Sequence, residues 1–228
     1  MAKKSPFTES DIEAASIYLR LMEEAKTRFS LIKTITHEDT TYPRGIVQEI
    51  CYLQLRCLCE VVTLGCLTAH GDMATPKLVR KTYEPSKILK ALDKLEDRYY
   101  YPQPADVVTQ GNHTHYIARP DKTHLAKDEI STLWGLSGDR LHRTSLNKFL
   151  RPSDDDMSDF TEINQWTEKL IGLLEHHWIV LVKYKKGIFV SLFGGEDEQT
   201  IVQLYEFDES GSTADRQSVT LGRSELAQ

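Results

Sequence analysis

The amino-acid sequence predicts an α+β protein, mainly α: an antiparallel helical bundle followed by a C-terminal three-stranded antiparallel β-meander. Two observations carry this reading. Apolar residues recur at threes and fours through much of residues 8–177. At Trp178 the pattern changes to short β-branched and aromatic runs separated by turn compositions. A third observation sets the class: with 40% hydrophobic and 27% charged residues, the 228-residue chain can build a core, which excludes rods and low-complexity chains.

The first helix is expected from residue 8 to about residue 37. Thr8 and Asp11 approximate a capping box, and Ile12, Ala15, Leu19, Met22, Ala25, Phe29 and Ile32 form one apolar stripe. A second helix, 43–70, opens on Pro43 and closes at Gly71. It is apolar nearly all round, so it is expected to be the covered spine of the fold. A third, about 86–97, turns Ile88, Leu89, Leu92 and Leu95 inward, and a Pro102 to Pro104 turn follows. Residues 106–118 suit a small hairpin. A fourth helix is expected at 127–136, closed by Ser137 and Gly138, with a short helix at about 143–150 after it. Ser158 or Asp159 is expected to cap a further helix reaching His177.

Three strands then follow at 178–184, 187–193 and 200–207. The expected organisation is a helical domain over 1–177, the meander packed on it over 178–207, and a mobile tail at 208–228.

The net charge of −6 is carried entirely by residues 194–228, where eight acidic side chains face two basic ones. Residues 1–193 are balanced at 26 and 26, so the acidic total does not exclude nucleic acid. The most apolar stretch, 46–69, contains Glu49, Arg56 and Glu60, and no signal-type run follows Met1. A soluble, cytoplasmic protein with no membrane association is therefore expected. Cys51, Cys57, Cys59 and Cys66 crowd one helical segment without paired metal-ligand spacing. They read as small core residues, and no metal or cofactor is expected.

No phosphate-binding loop, dinucleotide fingerprint, nucleophile elbow or zinc-protease motif is present. Two constellations remain. On the second helix, Glu49, Arg56, Glu60, Thr63 and His70 share one narrow strip. Charges on an apolar helix mark either a structural ion-pair network or a cleft. Farther along, Gly138 permits a sharp turn, Asp139 can cap the next helix, and His142 lies between Arg140 and Arg143. Arginines there suit an anion and favour neutral imidazole, as a general base requires. His142, Arg56 and Glu60 are thus the candidate catalytic groups, and Arg140, Arg143, Asp139 and Glu49 the candidate ligand-binding ones. His113, His115 and His124 lack a carboxylate or cysteine to complete a metal set. His176 and His177 suit a helix C-terminus.

In the order of its features the chain resembles bacterial proteins distantly similar to the HEPN (higher eukaryote and prokaryote nucleotide-binding) helical superfamily. The features are a long amphipathic helix, an apolar helix holding Arg56 and Glu60, a Tyr-Pro turn at 101–102 and the Gly138, Asp139, Leu141, His142 element. The resemblance spans residues 8–177 and leaves the strands aside. It implies a metal-independent ribonuclease or a phage-defence or stress component, acting on RNA or nucleotide and often dimeric. The superfamily's R-x4-6-H motif is matched by Arg119 and His124, with Pro120 between them. The alternative expectation is a non-catalytic protein–protein interaction or assembly module whose ion pairs are structural.

Overall fold

The computed structural model describes residues 7–37, 41–70, 82–94, 100–110, 113–119, 121–141, 160–181, 186–194, 199–206 and 219–221. Its helices are α1 (Glu9–His37), α2 (Arg44–Ala69), α3 (Pro85–Asp93), α4 (Glu129–Leu141) and α5 (Thr161–Leu174). Its strands are β1 (Gln103–Gln110), β2 (His113–Ala118), β3 (His176–Leu181), β4 (Lys186–Ser191), β5 (Ile201–Glu206) and β6 (Val219–Leu221). The α+β class is as the periodicity predicts, and the meander β3-β4-β5 is antiparallel in register throughout.

The expected capping box is formed. The Thr8 backbone N–H donates to Asp11 Oδ2 at 2.7 Å, and the Asp11 N–H donates to Thr8 Oγ1 at 3.2 Å. Asp11 also accepts from Lys186 Nζ at 2.6 Å, tying the start of α1 to β4. The stripe expected on α1 is the buried one, with Leu19, Met22 and Ala25 fully covered. α2 is the spine: it packs against α1, α3, α4 and α5. By length and composition it could cross a membrane, and most of that stretch is buried inside the fold. Cys51, Cys59 and Cys66 lie in the core as reduced thiols, with burial pushing the Cys51 thiol up to about 11.

Four boundaries differ from expectation. Among the described residues the sheet has six strands, in the order β2-β1-β3-β4-β5-β6, all antiparallel. The expected turn at Pro102 to Pro104 instead opens β1, and Gln103 and Pro104 pair with Trp178 and His177. The hairpin β1-β2 thereby joins the meander rather than standing apart. The expected tail supplies β6 on the other edge, beside β5. Both additions depend on long-range pairing, which no local pattern reports.

Second, α4 does not stop at Ser137 and Gly138 but continues to Leu141. Both residues are buried on the face already occupied by Ile130 and Leu133. A Cβ at position 138 would lie 2.6 Å from Arg56 Nη1. The glycine is there for close approach to α2, not for a turn. Asp139 accordingly sits inside α4, and the helix it is expected to cap lies outside the described residues. Third, α5 ends at Leu174, and His176 and His177 open β3 rather than closing a helix. Fourth, α5 begins after Phe160 without a side-chain cap, and Ser158 and Asp159 lie outside the described residues, as does the expected helix at 143–150.

Helices α1 and α5 lie on the sheet, α1 against β5 and β6, α5 against β1 and β3. One apolar cluster joins the helices to β3, β4 and β5.

Candidate functional site

The polar strip of α2 meets α4 through one aromatic ring. Arg56 stacks on the face of Trp134, its guanidinium carbon 3.7 Å from the ring centroid. Its Nη1 donates to the Trp134 carbonyl oxygen at 3.3 Å, and its Nε stands 3.7 Å from Glu60 Oε1. That same carboxylate oxygen accepts the indole N–H of Trp134 at 2.9 Å. Arg56, Glu60 and Trp134 thus close on one another, with the two charged side chains 24% and 25% exposed.

One turn earlier on α2, Tyr52 lies beside Arg140 of α4, 5.5 Å from guanidinium carbon to ring centroid. Arg140 Nη2 donates to Glu162 Oε2 on α5 at 3.2 Å, and the Tyr52 hydroxyl donates to the same oxygen. Burial, then the bond to Glu162, pushes the Tyr52 phenol well above its ordinary value. The seam is therefore two closed clusters in which cation, carboxylate and aromatic ring are matched across three helices.

The remaining sequence candidates separate from this seam. Glu49 is exposed near the start of α2, and Asp139 is exposed on α4. Thr63 bonds back to the Cys59 and Glu60 carbonyls at 3.0 Å, within its own helix. His70 is buried against Tyr100. His142 and Arg143 lie outside the described residues. Arg119 and His124 fall on the connection between β2 and α4, not in a helix. Arg119 is bonded to Asp106 and Asp121, and His124 Nδ1 lies 2.6 Å from the Lys122 carbonyl oxygen. Among the described residues no group of three or more metal-ligating side chains comes together.

Two polar pairs escaped sequence reasoning. Ser191 Oγ lies 2.9 Å from His176 Nδ1, across the β3-β4 register. By residue type this is a nucleophile and a base, but Ser191 is 6% exposed, which shuts its hydroxyl away from a substrate. The second pair is Tyr18 and His177, both fully enclosed, with the Tyr18 hydroxyl 2.7 Å from His177 Nε2. Only the antiparallel register and the packing of α1 on the sheet create these pairs.

The seam predicts a moderate stability effect. Glu60→Ala removes the acceptor of the Trp134 indole and the partner of Arg56. Because both charges reach solvent, the expected cost is about 1–2 kcal/mol, below the roughly 3–5 kcal/mol of a fully buried pair. Thermal melts of the two proteins check it: a difference near zero would mean that solvent already satisfies the indole.

Compared with known proteins, the chain matches no family model, no curated protein and no solved structure.

Proposed function

We propose that this chain is a non-catalytic protein–protein interaction or assembly module, its charged seam serving to lock α2, α4 and α5 together. One observation carries the reading. The charges at the centre of the candidate site, Arg56 and Glu60, are already matched within the fold, Arg56 by Glu60 and the Trp134 ring, Glu60 by the Trp134 indole N–H. A phosphate-binding arginine or a catalytic carboxylate needs spare hydrogen-bonding capacity facing the ligand. At Arg56 and Glu60 that capacity is directed at α4, while Arg140, 55% exposed, pairs with Glu162 at the rim of the seam.

The competing reading is a HEPN-like, RNA- or nucleotide-directed activity centred on His142, flanked by Arg140 and Arg143. The test is cleavage of total RNA, together with thermal-shift screening against nucleotides and polyphosphates. The expected result is no cleavage and no shift, with His142→Ala and Arg143→Ala indistinguishable from wild type. RNA cleavage that disappears in His142→Ala, or a salt-sensitive nucleotide shift that weakens in Arg143→Ala, would overturn the module reading.

A further inference from the structure

The apolar positions of α2 that stay at least partly open among the described residues have an order of their own, Leu64 and Leu67 also packing against the core. From residue 46 to residue 67, the positions 46, 50, 53, 57, 60, 64 and 67 alternate in steps of four and three. All are apolar or cysteine except Glu60, and none is buried. Ile46 and Leu53 are 44% and 45% exposed. α1 carries a matching stripe, Ile17, Leu21, Glu24, Arg28, Leu31 and Ile35, in the same alternation, with Leu21 and Ile35 at its edge also packing against the core. Ile17 and Leu31 are each 40% exposed. This is the seven-residue spacing by which one helix packs into another.

The two stripes run side by side. Arg28 Nη1 donates to Gln54 Oε1 at 2.7 Å, and Tyr18 packs against Gly65, so α1 and α2 are antiparallel. In that register residue 26 of α1 stands level with about residue 56 of α2, and these are the midpoints of the two stripes. The alignment has a specific consequence for symmetry. A two-fold axis crossing both helices at that level sets Ile17 opposite the partner's Ile35 and Leu21 opposite the partner's Leu31. Glu24 then falls opposite the partner's Arg28. On α2 the same axis sets Ile46 against the partner's Leu67, Ile50 against the partner's Leu64, Leu53 against the partner's Glu60, and Cys57 against its own copy. A self-complementary surface of this kind is what a two-fold dimer requires.

We infer that the outer face of α1 and α2 is the site where two copies of this chain dimerise, forming a four-helix antiparallel interface. The inference rests on the reading of the chain as an assembly module. Glu24 and Arg28 already pair within α1 at 2.6 Å and sit at the centre of the face. On dimerisation each gains an opposite charge from the partner, which fixes the antiparallel register. The α1 stripe is about 27 Å long and two adjacent helices are about 20 Å wide, on the order of 500 Å² in projection. Interdigitated side chains raise the accessible area toward the roughly 800 Å² per partner of a stable interface.

The experiment is sedimentation or light scattering on the purified full chain, read as mass. The expected mass is twice 26.1 kDa. Leu31→Lys and Ile46→Lys should each weaken association by about tenfold or more while leaving the circular-dichroism melt in place. Glu24→Arg and Arg28→Glu should each dissociate the dimer, and the double exchange should restore it. A short bis-maleimide should join two copies through Cys57, the one described cysteine that is not buried, and Cys57→Ser should abolish the product. A wild-type monomer overturns the inference, as does a dimer that ignores both lysines and the charge exchange. A monomer that also leaves RNA uncleaved overturns dimerisation alone. RNA cleavage dependent on His142 overturns the module reading instead.

Discussion

Gly172→Ala is expected to lower the melting temperature by about 6–12 °C, corresponding to roughly 3 kcal/mol for a chain of this size. Helix propensity alone argues the other way, since alanine is favoured over glycine in a helix interior by about 1 kcal/mol. The packing decides. A Cβ at position 172 of α5 would lie 2.0 Å from the Thr123 carbonyl oxygen and 3.2 Å from its carbonyl carbon. Those are backbone atoms, so no side chain can swing aside. The strand of chain around Thr123 is strapped across α5 on both sides. The Leu125 N–H donates to the Lys169 carbonyl at 2.9 Å, and Lys122 Nζ donates to Glu175 at 2.8 Å. Relief requires breaking one of these or displacing α5 from β1 and β3. Gly135→Ala provides the contrast, because nothing lies within 4 Å of a Cβ there. That variant should melt at or slightly above wild type. A Gly172→Ala protein as stable as wild type would show that α5 and the 121–125 segment separate freely.

Acid should weaken the fold through His177. Its ring is fully buried, Nε2 accepting from the Tyr18 hydroxyl at 2.7 Å and Nδ1 donating to the Leu174 carbonyl at 3.0 Å. Both nitrogens are used by the neutral ring, and burial brings the imidazole down to about 4. In the unfolded chain the same group titrates near about 6.5. Below that value the unfolded state binds a proton that the folded state refuses, so stability falls as pH falls. The loss runs from about pH 6.5 down to about pH 4 and then levels off, amounting to about 3 kcal/mol. Carboxylates contribute their own acid sensitivity, so the informative quantity is a difference. Urea midpoints of wild type and His177→Gln from pH 7 to pH 4 should converge as acid is added, with wild type losing about one proton's worth of slope more. Parallel curves would mean that the ring protonates without leaving its pocket.

What the chain determines by local pattern is considerable. The α1 capping box and buried stripe, the extent of α2, the hairpin and the meander all follow from side-chain periodicity, caps and turn residues, which act over a few positions. The strip on α2 was also legible, because helix geometry alone places Arg56 and Glu60 on one line. Its partners were not. Trp134 lies 74 positions from Glu60, and nothing near either residue announces the other. The glycines at 138 and 172 show the same limit from the opposite side. Glycine in a sequence reads as a stop, but these two lie inside helices because Arg56 and the Thr123 carbonyl occupy the space a side chain would need. His176 and His177, read as a helix end, become strand residues because their partners Ser191 and Tyr18 arrive from β4 and α1. Local propensity therefore determined which elements form, and the six-strand order, the closed charge clusters and the buried Tyr18–His177 bond were decided by tertiary packing. The physical reason is that these contacts exist only once loops of tens of residues have closed, so their energy is a property of the assembled fold and of no segment within it.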